Sequence, residues 1–384
     1  MFDLIIIGAG LVGASLARAM RTSGLRLALI ETHFIADAKQ TGWDNRIYAI
    51  SPGAASFLEN CGVWQSLDSR RITRIMEMRV YGDDGASHLD FSAYECGLPE
   101  LAFIVENRLL QHSLWRDLAV QENLKLFCPA QCSALERAPD HIVLRLADGT
   151  ELESRLVVGA DGGDSWVREH AGITVKRRHY GQLGVVANFE TELPHRNFAF
   201  QWFRDDGVLA YLPLPGNRIS IVWSTSEDNA KKLLELSLAE FCRQVAGAGQ
   251  HVLGELRLIT SPVAFPLKFL RVERMVSPRI ALIGDAAHVV HPLAGQGVNL
   301  GFQDARVLAE TLIDRGVHSD CGDYRLLRRF ERARKEHILA MQFTTHGLQQ
   351  LFGLPWLSGL RNWGLRLTNN LTPIKSILVQ RALN

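Results

Sequence analysis

Three glycines and an acid near the amino terminus carry the spacing of a phosphate grip. Gly8-Ala9-Gly10-Leu11-Val12-Gly13 follows directly on the short β-branched run Leu4–Ile7. Ala14 to Met20 favours a helix with small residues toward a sheet, Gly24 ends it, and Leu25–Ile30 alternates into a second strand closed by Glu31. Each part answers a need of dinucleotide binding. Gly8 permits a tight turn, Gly10 lets the backbone approach a pyrophosphate, and Gly13 allows close packing of helix on strand. The helix amino end offers free N–H groups and a positive dipole to the phosphates. Glu31 stands where a carboxylate accepts hydrogen bonds from ribose hydroxyls, and an acid there disfavours a 2′-phosphate. The pattern predicts FAD or NAD(H) rather than NADP(H).

Two later strands each deliver an aspartate. Residues 155–168 run through apolar Leu156-Val157-Val158 into a turn tipped by Asp161-Gly162. Residues 279–305 form a strand ending at Gly284-Asp285, and a loop then leads to a helix beginning near Gln296. At the carboxyl edge of a parallel sheet both acids would face a ligand. Each could instead cap the next helix, and the residues alone leave both readings open.

In this order and spacing the three segments resemble the FAD-dependent aromatic hydroxylases of the para-hydroxybenzoate hydroxylase type, the group A flavoprotein monooxygenases. Within that superfamily, His291-Pro292-Leu293-Ala294-Gly295-Gln296-Gly297-Val298-Asn299-Leu300-Gly301, with Asp304 following, is similar to the signature of the ubiquinone-biosynthesis hydroxylases. Arg46-Ile47-Tyr48-Ala49-Ile50-Ser51, Gly62-Val63-Trp64, Val105-Glu106-Asn107-Arg108 and the basic run Tyr324 to Lys335 are also similar to family patterns. The resemblance covers essentially the whole chain.

The resemblance implies that Gly8, Gly10, Gly13 and Glu31 hold the ADP half of FAD. It places Arg46 and Arg108 near the pyrophosphate and ribityl chain, and Asp285 on the ribityl chain or ribose of the flavin half. Asp161 and Gly162 belong to a motif that serves both FAD and an external donor, NAD(P)H. Gly295, Gln296 and Gly297, with Asn299 after them, would set a helix amino end beneath the flavin, where it stabilises negative charge on the reduced ring. The implied reaction is hydroxylation of a polyprenylated phenol by O2 through a flavin C4a-hydroperoxide. A histidine near the ring is a candidate base; His288 and His291 flank the loop, which Pro292 would stiffen. The competing reading has both histidines bonding loop backbone. A prenyl reductase, or an FAD-containing scaffold in a biosynthetic complex, remains the alternative on the same frame. The Trp-x-Trp-x-Ile-Pro segment of flavin-dependent halogenases is missing, and the second half-site at Gly284-Asp285 disfavours a plain NAD dehydrogenase.

Positioning these groups requires an α/β chain, α+β overall, with a Rossmann-like FAD-binding domain interleaved with a β-sheet substrate domain. The first is expected in three pieces, 1–70, 106–180 and 277–340, and the second in two, 71–105 and 181–276. Strands are expected at Leu183–Glu190, Phe198–Phe203, Val208–Leu212 and Arg218–Ser224, with one helix from Lys231 to Val245. Among the aromatics there, Trp202 and Tyr211 are the candidates to line a substrate pocket, against the ordinary expectation of core. Residues 341–384 read as a C-terminal amphipathic helical tail.

Composition bounds the rest. Apolar residues make up 47% and charged residues 22% of 384, a globular balance. Lys and Arg total 42 against 41 Asp and Glu, a formal charge of +1, which removes the electrostatic case for a nucleic-acid binder. The six cysteines are scattered; Cys128 and Cys132 have no second pair to complete a zinc site, so no metal is expected. Reduced thiols and an opening that runs straight into a strand imply a cytoplasmic protein. No apolar run reaches the roughly 18–20 residues of a membrane span. From Gln342 to Asn384 there are four cations and no acid, and Trp356, Leu360, Trp363 and Leu367 share a helical face. Such a tail fits peripheral contact with the cytoplasmic face of an inner membrane, or with a biosynthetic complex, the protein's own body or a second copy in a homo-oligomer.

Overall fold

The computed structural model describes residues 1–35, 42–84, 87–290, 297–316 and 319–352, with side chains as far as 341. Strand β1 (Phe2–Ile7) is buried over its last four residues, as an apolar run covered on both faces must be. Helix α1 (Leu11–Ala19) packs back on it through buried Ala14, Ser15 and Ala17, whose small side chains allow a close approach. β2 (Leu27–Ile30) then lies parallel to β1. The chain continues through β3 (Ile47–Ile50), α2 (Pro52–Asn60), β4 (Thr73–Ile75), β5 (Glu77–Tyr81), β6 (His88–Ser92) and β7 (Ala102–Glu106). It returns by α3 (Asn107–Leu118), β8 (Leu124–Phe127), β9 (Cys132–Arg137), β10 (Ile142–Leu146), β11 (Glu151–Gly159) and the short α4 (Trp166–His170).

A long strand, β12 (Val175–Thr191), leads to β13 (Phe198–Arg204), β14 (Gly207–Leu214) and β15 (Arg218–Ser226). Helices α5 (Glu227–Glu235) and α6 (Leu238–Ala248) stand where one helix was expected. The break has a local cause: Leu236 is extended, and Ser237 and Glu240 form a reciprocal capping box that starts a new helix. The remainder is β16 (Leu256–Leu258), β17 (Val263–Val272), β18 (Val276–Ser277), β19 (Ile280–Leu282), β20 (His288–Val289), α7 (Gly297–Ile313) and α8 (Tyr324–Phe352).

Three sheets result. In the first, β19-β11-β1-β2-β8 run parallel, with β18 antiparallel at one edge and β10 and β9 branching from β11. The second has the order β20-β17-β12-β15-β14-β13-β5-β6, with β16 beside β12. A small third sheet, β3-β7-β4, lies against one face of the second through Ile47, Ala49, Ile104 and Ile75, which pack with Ala199, Leu212 and Leu214. The other face of the second sheet is covered by α5 and α6. The expected boundary at 180 falls inside β12, which pairs with β17 along one edge on both sides of an irregularity between His179 and Leu183, and from Gln182 onward pairs with β15 along the other.

The expected C-terminal tail begins within α8; Trp356, Leu360, Trp363 and Leu367 lie outside the described residues. Among the described residues no helix is long and apolar enough to cross a membrane.

Candidate functional site

The register of the first sheet sets Ile7 beside both Ile30 and Gly159, and Gly159 beside Leu282. The segments that follow therefore emerge along one edge: the glycine turn, Glu31, Asp161 and Asp285. A parallel sheet concentrates ligand groups at this carboxyl edge.

Each glycine of the first turn has its own geometry. Gly8 has φ +98°, and a side chain there would place its Cβ 2.5 Å from the Ala160 carbonyl oxygen. A methyl on Gly13 would collide with the Gly8 carbonyl oxygen. Gly10 is different, since nothing lies within 4 Å of where its Cβ would point. Helix α1 begins at that open space without a side-chain cap, which leaves its first N–H groups for a ligand.

Glu31 is moored against the same turn. Its Oε2 accepts from the Ala9 N–H at 2.8 Å, and its Oε1 accepts from the Thr32 N–H at 2.8 Å. A carboxylate offers about four acceptor directions, so ribose hydroxyls can still be taken. Asp161 divides the two readings its sequence left open. Oδ2 accepts from the Val167 N–H of α4 at 3.0 Å, whereas the buried Oδ1 has no partner among the described residues. Next to it, Gly162 has φ +84°. Asp285 stands in a 3-10 turn at this edge and is exposed, with no donor to it among the described residues. The surrounding walls desolvate its carboxyl and push it above the usual carboxylate range, while His288 and Arg46 pull it back. The open space at Gly10, the uncapped α1, the unpaired Asp161 oxygen and the ligand-facing Asp285 together fit FAD.

Arg46 and Arg108 are brought together by an acid that sequence reasoning missed. Asp44 accepts from the Arg46 N–H through Oδ1 and from the Arg108 N–H through Oδ2, each at 3.0 Å. Its own N–H donates to Glu106 Oε2 at 2.8 Å, and Arg71 grips Glu106 with two bonds of 2.6 and 2.7 Å. The Arg46 guanidinium lies 5.5 Å over the Tyr48 ring, and desolvation pushes the Tyr48 phenol up to about 12 against the pull of Arg46. Glu106 was legible in its short segment, but nothing local identified Arg71 as its partner.

Behind the cleft lies a buried ion cluster. Asp304 Oδ2 accepts from the Gly284 N–H at 2.9 Å and meets His288 Nε2 at 2.6 Å, and its Oδ1 accepts from Arg334 Nε at 2.7 Å. Burial alone would raise the Asp304 carboxyl, but His288 and Arg334 outweigh it and hold it below the usual range. The expectation that His288 acts as a base is corrected here: its ring is buried and its Nε2 is committed to Asp304, so it fixes the loop instead. Asn299 likewise works on the protein itself, donating to the Ala49 carbonyl at 2.8 Å and accepting from the Ser51 N–H at 3.0 Å. Gly297 opens α7. His291, Pro292, Gly295 and Gln296 lie outside the described residues.

Trp202 and Tyr211 are corrected as substrate residues. Both are at most 2% exposed, in the core beneath α5 and α6. Trp202 stacks on Tyr81 with centroids 5.4 Å apart, and the Tyr211 hydroxyl donates to the Val245 carbonyl at 2.6 Å. The pairing rows Val185–Trp223–Leu209–Trp202 and Ala187–Ile221–Tyr211–Phe200 explain it, because side chains alternate across a sheet. The opposite face presents Val186, Val222, Ala210 and Gln201, and in the next row Asn188, Ser220 and Leu212.

Burial pushes Cys61, Cys132 and Cys321 up to about 12, so they are not thiolates at neutral pH.

The whole arrangement has counterparts. A family described as FAD binding domain matches residues 1–344. The chain is 34% identical to the ubiquinone hydroxylase UbiL of Rhodospirillum rubrum, covering 99% of this chain and 89% of that one. It is 33% identical to the 3-demethoxyubiquinol 3-hydroxylase of Escherichia coli, covering 99% and 98%. The crystal structure of p-nitrophenol 4-monooxygenase PnpA from Pseudomonas putida shares the fold, with a TM-score of 0.79 at 15% identity over 100% of this chain and 98% of that one. With its glycine turn, its two acid-tipped strand ends and full-length identity to these relatives, the chain belongs to the FAD-binding-domain family and, within it, to the ubiquinone hydroxylases, which makes it an FAD-dependent aromatic-ring monooxygenase.

Proposed function

We propose that the protein hydroxylates the ring of a polyprenylated phenol on the route to ubiquinone, with O2 as co-substrate and NAD(P)H as electron donor. The observation that carries this reading is the full-length similarity to a ubiquinone hydroxylase and a 3-demethoxyubiquinol 3-hydroxylase, joined to a buried Asp161 oxygen that has no partner among the described residues and fits FAD. Bound FAD would supply the oxygen-activating redox chemistry. The chain's own residues do the rest. Gly8, Gly10, Gly13 and the amino end of α1 would receive the pyrophosphate, with Arg46 and Arg108 beside it. Glu31, Asp161, Gly162 and Asp285 would take hydroxyl groups along the cofactor. Gln201, Ala210, Leu212 and Val222, on the face turned away from α5 and α6, would orient the phenol and exclude water.

The test uses purified protein, FAD, NADH and a short-chain prenylated phenol under labelled dioxygen. The expected product carries one labelled oxygen on the ring. NADH oxidation without a hydroxylated ring, or a reduced prenyl chain instead, would refute the proposal.

A further inference from the structure

One ribbon of the described surface combines unpaired cations with exposed apolar side chains on a single face. β12 and β17 pair as Lys176 with Arg271, Arg178 with Phe269, Gly184 with Phe265 and Val186 with Val263. Strand alternation puts all of these on one side, and the irregularity between His179 and Leu183 leaves the two strands in phase. Lys176, Arg178 and Arg271 are exposed, and among the described residues none has a carboxylate within salt-bridge distance. On the other side Arg177 and Lys268 are both engaged by Asp164, at 3.6 and 3.8 Å, and Leu270 and Val272 are buried in the first core. Further along the cationic face, Val263 is 46% and Phe265 41% exposed, with the Phe265 ring lying over Gly184.

We propose that this face docks on an anionic phospholipid membrane and thereby presents the substrate-facing side of the second sheet to the bilayer. The inference rests on the reading that the substrate carries a polyprenyl chain, which has to pass from lipid to cleft. Cations alone would suit any polyanion. The adjoining Phe265 and Val263 select a surface with an apolar layer beneath its phosphates, as a headgroup region has. The ribbon is joined to the cofactor cleft: Asp164 follows the Asp161-Gly162 turn, and β20, which follows Asp285, pairs with β17.

The experiment compares full-length, FAD-loaded protein with the triple variant Lys176→Gln, Arg178→Gln, Arg271→Gln. Both are mixed with vesicles of phosphatidylcholine, with and without phosphatidylglycerol, and sedimented. The unaltered protein is expected to bind only the anionic vesicles, and more weakly as salt rises. The triple variant should bind about 100-fold more weakly, from roughly a fivefold loss per cation, with flavin content and turnover of a short-chain phenol unchanged. Phe265→Ser should weaken binding with the charges intact. Binding indifferent to lipid charge overturns the proposal, as does a triple variant that binds normally. A raised KM for NADH with normal vesicle binding would reassign the face to the nucleotide. Failure of the unaltered protein to hydroxylate a prenylated phenol in detergent would instead overturn the substrate reading, whatever the vesicles show.

Discussion

Asp285 and Asp304 lie on one loop-and-helix segment in opposite surroundings. Among the described residues Asp285 has no donor, and desolvation by the surrounding protein raises its carboxyl. Asp304 is fully buried and accepts from the Gly284 N–H, yet His288 and Arg334 outweigh desolvation and lower its carboxyl. A single backbone unit serves both, because Gly284 donates to Asp304 and the next residue is Asp285. The contrast teaches how the scaffold and the site divide their acids. An acid saturated by protein donors holds structure, and an acid left short of donors awaits a ligand.

The largest effect expected to test this division is at the buried cluster. Asp304→Asn leaves Arg334 buried and uncompensated, which should cost about 3–5 kcal/mol in urea unfolding. An unchanged midpoint would break the comparison. Asp285→Ala should behave in reverse. FAD affinity should fall about 10- to 100-fold, the worth of a hydrogen bond to a charged group, while the apo-protein keeps its stability or gains some; flavin titration and urea unfolding measure the two. Equal loss of apo stability in both variants would merge the regions.

The glycines sharpen the same distinction at smaller scale. Gly13→Ala should lower apo stability by about 1–3 kcal/mol, since the added methyl meets the Gly8 carbonyl oxygen. Gly10→Ala has open space around it and should leave apo stability within about 0.5 kcal/mol, yet weaken FAD binding where the pyrophosphate approaches.

The smallest signal is in pH. Asp304 has a lowered carboxyl, so its stabilisation is present above the unfolded value near 3.9 and is lost as pH falls through the folded value. Asp285 is raised, so its destabilisation is absent below the unfolded value and grows as pH rises through the folded one. Apo-protein unfolding followed against pH should lose the first component in Asp304→Asn and the second in Asp285→Asn. Identical profiles for both variants would contradict the opposite signs.

Much of the cofactor half is legible in the sequence. Leu4–Ile7 read as a strand, Gly8 to Gly13 as its turn, and the helix start expected near Gln296 lies one residue before Gly297. These features are set within a few residues by apolar runs, steric limits on φ and helix-end chemistry. The substrate half was legible as strands but not as faces. Strand alternation marked Trp202 and Tyr211 as facing one way without saying which side was covered by α5 and α6. The capping signal at Ser237 and Glu240 was present in the sequence but was read through as one helix.

By itself the sequence determined where the chain turns and which strand ends carry an acid. Those properties follow from local sterics and from the direction of N–H groups. Only the tertiary structure decided that Arg71 belongs to Glu106, that Arg334 and His288 meet Asp304, and that Trp202 is core. Such outcomes depend on which distant surfaces exclude water together, and a buried charge or aromatic ring acquires its role from that packing.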